Sequence, residues 1–143
     1  MLERVLVVDD EPRARDIMAD ILSGAGMEVL QAGDGEEAIR LAGETELNLI
    51  LLYLMLPDMN GTQVLEAILK GKPSLPVVMI SGQGSIQDAV KATKLGAYDF
   101  LEKPAEREKI LLAARNALER DRMRRELTEL REESMRRDRK SVV

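Results

Sequence analysis

Residues 47–53 read Leu-Asn-Leu-Ile-Leu-Leu-Tyr, apolar with almost no alternation, as expected of a short strand covered on both faces. Four similar runs flank it: Arg4–Asp9, Met27–Gln31, Val77–Ile80 and Tyr98–Glu102. Helical periodicity separates them. Ala14, Ile17, Met18, Ile21 and Leu22 make one apolar stripe, stopped by Gly24 and Gly26. Asp34 with Glu37 forms a capping box ahead of inward-facing Ala38, Ile39 and Ala42. Val64, Leu65, Ile68 and Leu69 mark a third helix. Ser85 and Asp88 cap a fourth, lined by Ile86, Ala89, Val90 and Thr93 and ended by Gly96. Five alternations of strand and helix predict an α/β fold, a doubly wound five-stranded parallel sheet with its site at the carboxyl ends of the strands.

From Glu106 the chain carries no Gly or Pro through Val143. An unbroken helix to Lys140 would be roughly 50 Å long, too long to pack wholly on a small domain. Its first part is expected to give Ile110, Leu111, Ala114 and Leu118 to the core. Met123, Leu127 and Leu130 then keep the 4,3 spacing of a coiled-coil seam that decays into Ser134 and Arg137. A solvated, fraying helix fits that stretch equally well. Residues 1–120 therefore read as one domain and 121–143 as a helical linker with a short coiled coil.

Composition narrows the function. Aromatic residues are 2% of 143, so the core is aliphatic, and the absence of Cys and His removes disulfides, thiolate sites and imidazole bases. No apolar stretch is long enough for a membrane span and no signal peptide opens the chain, so a cytoplasmic protein is expected. Residues 1–104 hold 9 Lys and Arg against 17 Asp and Glu, whereas residues 105–143 hold 12 against 9. An acidic body argues against direct nucleic-acid binding.

The first strand ends in Asp9-Asp10 at the sheet's open edge. Paired carboxylates there repel unless they hold a cation, and a hard cation such as Mg²⁺ suits them. Alternatively, Asp10 and Glu11 only cap the first helix. Three further segments follow in order: Tyr53 through Gly61, Ile80-Ser81-Gly82, and Leu101-Glu102-Lys103-Pro104. Together with Val5–Glu11 they resemble the receiver domain of bacterial two-component response regulators, over residues 3 to about 120.

That resemblance implies a flavodoxin-like strand order 2-1-3-4-5. It implies that Asp9 and Asp10 hold the metal with the Met55 backbone carbonyl, that Ser81 and Lys103 contact a phosphoryl group, that Pro104 follows a cis peptide, and that Phe100 is the aromatic switch residue. In that family an aspartate closing the third strand accepts the phosphoryl group. Here Tyr53 stands at that place. Acyl phosphate formation needs a carboxylate, and phenols titrate at about 10. The metal also loses an anionic ligand, worth about 4 kcal/mol at 4 Å and an effective dielectric of 20. Weak or absent Mg²⁺ is expected, with the Tyr53 hydroxyl near Asp9, Asp10 or Lys103. Asp58 is the one substitute acceptor to weigh; in its loop an acid ordinarily just solvates a turn.

Residues 81–90 and 96–104 resemble the nitrogen-regulator-C class, enhancer-binding activators of the alternative sigma factor. The implied partners are a sensor histidine kinase, an AAA+ ATPase and a helix-turn-helix domain. No Gly-x-x-x-x-Gly-Lys-Ser/Thr occurs here, so the chain reads as a truncated or stand-alone receiver. The expected output is homodimerisation through residues 85–118, with the linker helix contributing, rather than catalysis. A phosphotransfer module with another acceptor and a flavodoxin-like cofactor binder are the competing readings. Scarce aromatics and the lack of a Gly-rich loop after the first strand oppose the latter.

Overall fold

A computed structural model describes residues 2–82 and 86–141, with the backbone alone at 140 and 141. The elements run β1 (Arg4–Val8), α1 (Pro12–Gly24), β2 (Glu28–Ala32), α2 (Gly35–Glu44), β3 (Leu49–Tyr53), α3 (Gly61–Gly71), β4 (Val77–Ser81), α4 (Ile86–Lys94), β5 (Asp99–Glu102) and α5 (Arg107–Ser141). The strands lie in the order β2-β1-β3-β4-β5, all parallel. This is the doubly wound five-stranded sheet and long final helix expected from the alternation. The expected Ser85 cap of α4 lies outside the described residues.

The uniform apolarity of the central strands follows from a core on each face. Side chains alternate across a strand, so Leu6, Val8, Ile50, Leu52, Val77 and Met79 face α2, α3 and Ala92 of α4. Val5, Val7, Leu49, Leu51, Val78 and Ile80 face Met18 and Leu22 of α1 and Ile110, Ala114 and Leu118 of α5. Each fully buried Leu or Ile contributes roughly 1.5–3 kcal/mol relative to exposure. Both α1 and α4 end in the same device: Gly26 (φ 92°) and Gly96 (φ 106°) take left-handed backbone just past the last turn.

Three helix faces differ from expectation. In α1, Ile17 is 53% exposed and Ala19 is buried instead. In α5, Ala113 and Ala117 join Ile110, Ala114 and Leu118 in the core, whereas Leu111 is only half-buried. On α4 the predicted stripe points outward: Ile86 is 85% exposed, Val90 46%, and Ala92 alone is buried. Ala92 lies about 100° around the helix from that stripe. Sequence periodicity identified an apolar face but not which way it turned.

At 35 residues, α5 spans about 52 Å. Its middle is fastened to the amino-terminal edge of the sheet. Asp121, only 4% exposed, accepts from Asn48 Nδ2 at 3.3 Å and pairs with Arg124 and Arg125 at 3.0 Å each. Glu3 pairs with Arg122 and Arg125. Beyond Arg125 every described side chain is exposed.

Candidate functional site

The parallel register brings the carboxyl ends of β1, β3, β4 and β5 to one edge. Val8 pairs with Leu52, Tyr53 with Ile80, and Ser81 with Glu102. Asp9 follows β1, and its carboxylate is fully buried. Its Oδ1 accepts from the Glu11 amide at 3.0 Å, and its Oδ2 accepts from Lys103 Nζ at 2.6 Å. Arg15 steadies the same turn by donating to the Asp9 carbonyl at 2.9 Å.

Lys103 is placed by β5: its amide donates to the Ser81 carbonyl at 2.7 Å, and its bond to Pro104 is cis. Its ammonium also lies 3.9 Å from the centroid of the Tyr53 ring. One cation thus faces a carboxylate on one side and a π-face on the other, both favourable where water is scarce. The Tyr53 hydroxyl was expected to meet Asp9, Asp10 or Lys103. Instead Lys103 takes the ring face, and the hydroxyl reaches the β4–α4 turn, 3.1 Å from where a Cβ on Gly82 would stand.

The structure therefore brings Asp9, Tyr53 and Lys103 together, with buried Ser81 ending the neighbouring strand. It leaves others apart. Asp10 is exposed, and Met55 points its side chain to solvent, 62% exposed, from an isolated bridge to Asn60. Phe100 packs into the layer of α2, α3 and α4, whereas Tyr53 packs into the layer of α1 and α5.

These donors fit a divalent cation poorly. Both Asp9 oxygens are committed, one to a resident ammonium, which leaves the exposed Asp10 as the uncommitted carboxylate of the pair. Among the described residues no group of three or more His, Cys, Asp or Glu could hold a metal ion. Asp10 and the Met55 carbonyl would carry most of any Mg²⁺ coordination.

Asp58 does more than solvate a turn. Its Oδ1 accepts from the Gly35 amide at 2.8 Å and its Oδ2 from the Glu36 amide at 2.9 Å, so it caps α2 from the β3–α3 loop. Those two amides hold the Asp58 carboxyl below its ordinary value. Asp34, the local N-cap, accepts from the Glu37 amide at 2.8 Å, while Glu37 reaches Gly33 rather than Asp34. Orphan amides at a helix start require acceptors, but nothing local announces one 23 residues away.

A five-stranded parallel sheet of this order, with a buried acid after β1 and a Lys–cis-Pro after β5, defines the class: the chain belongs to the response regulator receiver domain family, whose profile matches residues 5–115. Among curated relatives, the nitrogen assimilation regulatory protein NtrX of Azorhizobium caulinodans is 40% identical over 134 residues, covering 92% of this chain and 30% of that protein. The transcriptional regulatory protein GlrR of Escherichia coli is 34% identical over 115 residues, 80% of this chain and 26% of that protein. Among solved structures, NtrX from Brucella abortus in complex with ADP superimposes with a TM-score of 0.84 at 42% identity, over 91% of this chain and 30% of that one. The chain thus spans less than a third of these relatives' length.

Proposed function

We propose that this chain is the receiver module of a two-component transcription regulator in which Tyr53 replaces the phosphoacceptor, so that position 53 takes no phosphoryl group. One observation carries the reading: the Lys103 ammonium sits on the Tyr53 ring while bonded to Asp9. The pocket's cation is internal, and the strand end holds a phenol where acyl phosphate chemistry needs a carboxylate. Mg²⁺ binding is weak at best, through Asp10 and the Met55 carbonyl, with Ser81, Phe100 and Pro104 keeping scaffold positions from a phosphoryl-binding site. Asp58 does not take over as acceptor, because both its oxygens serve α2.

Residues 1–120 form the receiver and residues 121–143 a helical linker toward an output domain. Its relatives' names support transcriptional control, and the loop sequences at 81–90 and 96–104 place it with enhancer-binding regulators of the nitrogen-regulator-C class. A sensor histidine kinase is the ancestral upstream partner, and self-association through α4, β5 and α5 is the output. The chain is a signalling module of the cytoplasm rather than an enzyme.

Incubation with Mg²⁺ and acetyl phosphate, read by intact mass, tests this directly. A phosphoryl adduct is expected on Tyr53→Asp and not on the unaltered chain. An adduct on the unaltered chain, mapped to any residue, would overturn the reading.

A further inference from the structure

We propose that residues 116–131 of α5 form a parallel, in-register two-stranded coiled coil with the same segment of a second copy of this chain. The inference rests on the reading that self-association is the output, and it assigns that output a surface and a direction.

Past the domain, α5 keeps an apolar stripe that nothing in the chain covers. Met123 is 63% exposed, Leu127 49% and Leu130 62%. With Tyr98, Asn116 and Arg120 they line an open groove of about 760 Å³. The stripe is turned well away from the buried line of Ile110, Ala114, Leu118 and Asp121, so a second helix can lie on it without displacing the body. Asn116, Arg120, Met123, Leu127 and Leu130 follow the alternating 4,3 rhythm of inward-facing heptad positions.

The flanking charges choose the partner and its direction. With Leu127 at position a and Leu130 at d, the g positions are Glu119, Glu126 and Glu133, and the first two e positions are Arg124 and Arg131. In a parallel pair each g side chain faces the e side chain five residues further along the other helix. That matches Glu119 with Arg124 of the partner subunit and Glu126 with Arg131 of the partner subunit. An antiparallel pair sets g against g and e against e, hence Glu against Glu and Arg against Arg. One heptad on, Glu133 would meet Asp138 of the partner subunit while Ser134 and Arg137 enter the seam, so pairing ends near Arg131.

The chain has no cysteine, so one introduced thiol reports cleanly, and the positions used are exposed enough to leave the fold intact. Leu130→Cys is expected to form a disulfide-linked dimer on mild oxidation, because a parallel register sets residue 130 beside its own copy. Met135→Cys, 57% exposed on another side of α5, should not. In sedimentation, Glu126→Arg or Arg131→Glu alone should weaken the dimer on the order of tenfold, and the two together in one chain should restore it. A dimer that persists without a link at residue 130, or that ignores the charge swaps, overturns the seam but leaves self-association standing. Equal linkage at 130 and 135 signals random collision and also overturns the seam. A chain monomeric at every concentration, with no link, removes both.

Discussion

Lys103 joins the two groups that decide what this pocket can do. Its ammonium, 24% exposed, is the counter-ion of an Asp9 carboxylate with no exposure at all. Removing one partner of a buried pair leaves the other charge uncompensated, at about 3 kcal/mol or more. Lys103→Met is therefore expected to lower unfolding stability by about 3 kcal/mol in urea titrations. Asp9→Asn combined with Lys103→Met should recover most of the loss, since the neutral amide can still accept from the Glu11 amide. Equal losses in the single and double variants would deny the pairing. Asp58 acts at the same scale through α2. Its folded-state carboxyl titrates below the ordinary 3.8 because the Gly35 and Glu36 amides favour the ionised form. The stabilisation it brings is thus complete above 3.8 and is lost as pH falls through the lower folded value. The stability gap between the chain and Asp58→Ala should hold steady from pH 7 to about 5 and close below pH 4. A gap that does not change with pH would mean the carboxylate charge is not what caps α2.

Elements meet at a junction in α5 whose position depends on ion pairs rather than apolar contact. The last core residue of the helix is Leu118, yet Asp121, Arg122 and Arg125 still tie it to Glu3 and Asn48. The first turn of the proposed linker is therefore part of the body mechanically, and the helix leaves the domain as a rigid continuation. A fragment ending at residue 126 is expected to unfold at the same denaturant concentration as the whole chain. One ending at residue 120 should lose about 1–2 kcal/mol, because Asn48 and Glu3 lose their partners. Identical midpoints for the two fragments would show that the network contributes nothing net.

For the whole molecule, two layers of aliphatic packing around β1, β3 and β4 set global stability, whereas α5 beyond Arg125 has solvent on all sides in the single chain. Amide hydrogen exchange should show full protection in those three strands and little from residue 126 onward at high dilution. Protection of residues 126–131 that rises with protein concentration would report the seam forming; fast exchange there at every concentration would argue against it. Much of this architecture was legible beforehand. Unalternating apolar runs such as 49–52 require cover on both faces, and parallel strands require helical crossovers, so sequence alone determined the doubly wound sheet. It also determined the edge at which Asp9, Tyr53, Ser81 and Lys103 end their strands, because strand ends are written in composition. It could not determine side-chain partners separated by long stretches of chain. Lys103 meets Asp9 from 94 residues away, Asp58 caps a helix that begins 23 residues earlier, and the α4 stripe turns to solvent although its periodicity is that of a buried face. Local pattern fixes which elements form, since backbone and burial preferences act over a few residues. Direction and pairing depend on how finished elements pack, and only the tertiary structure decided them.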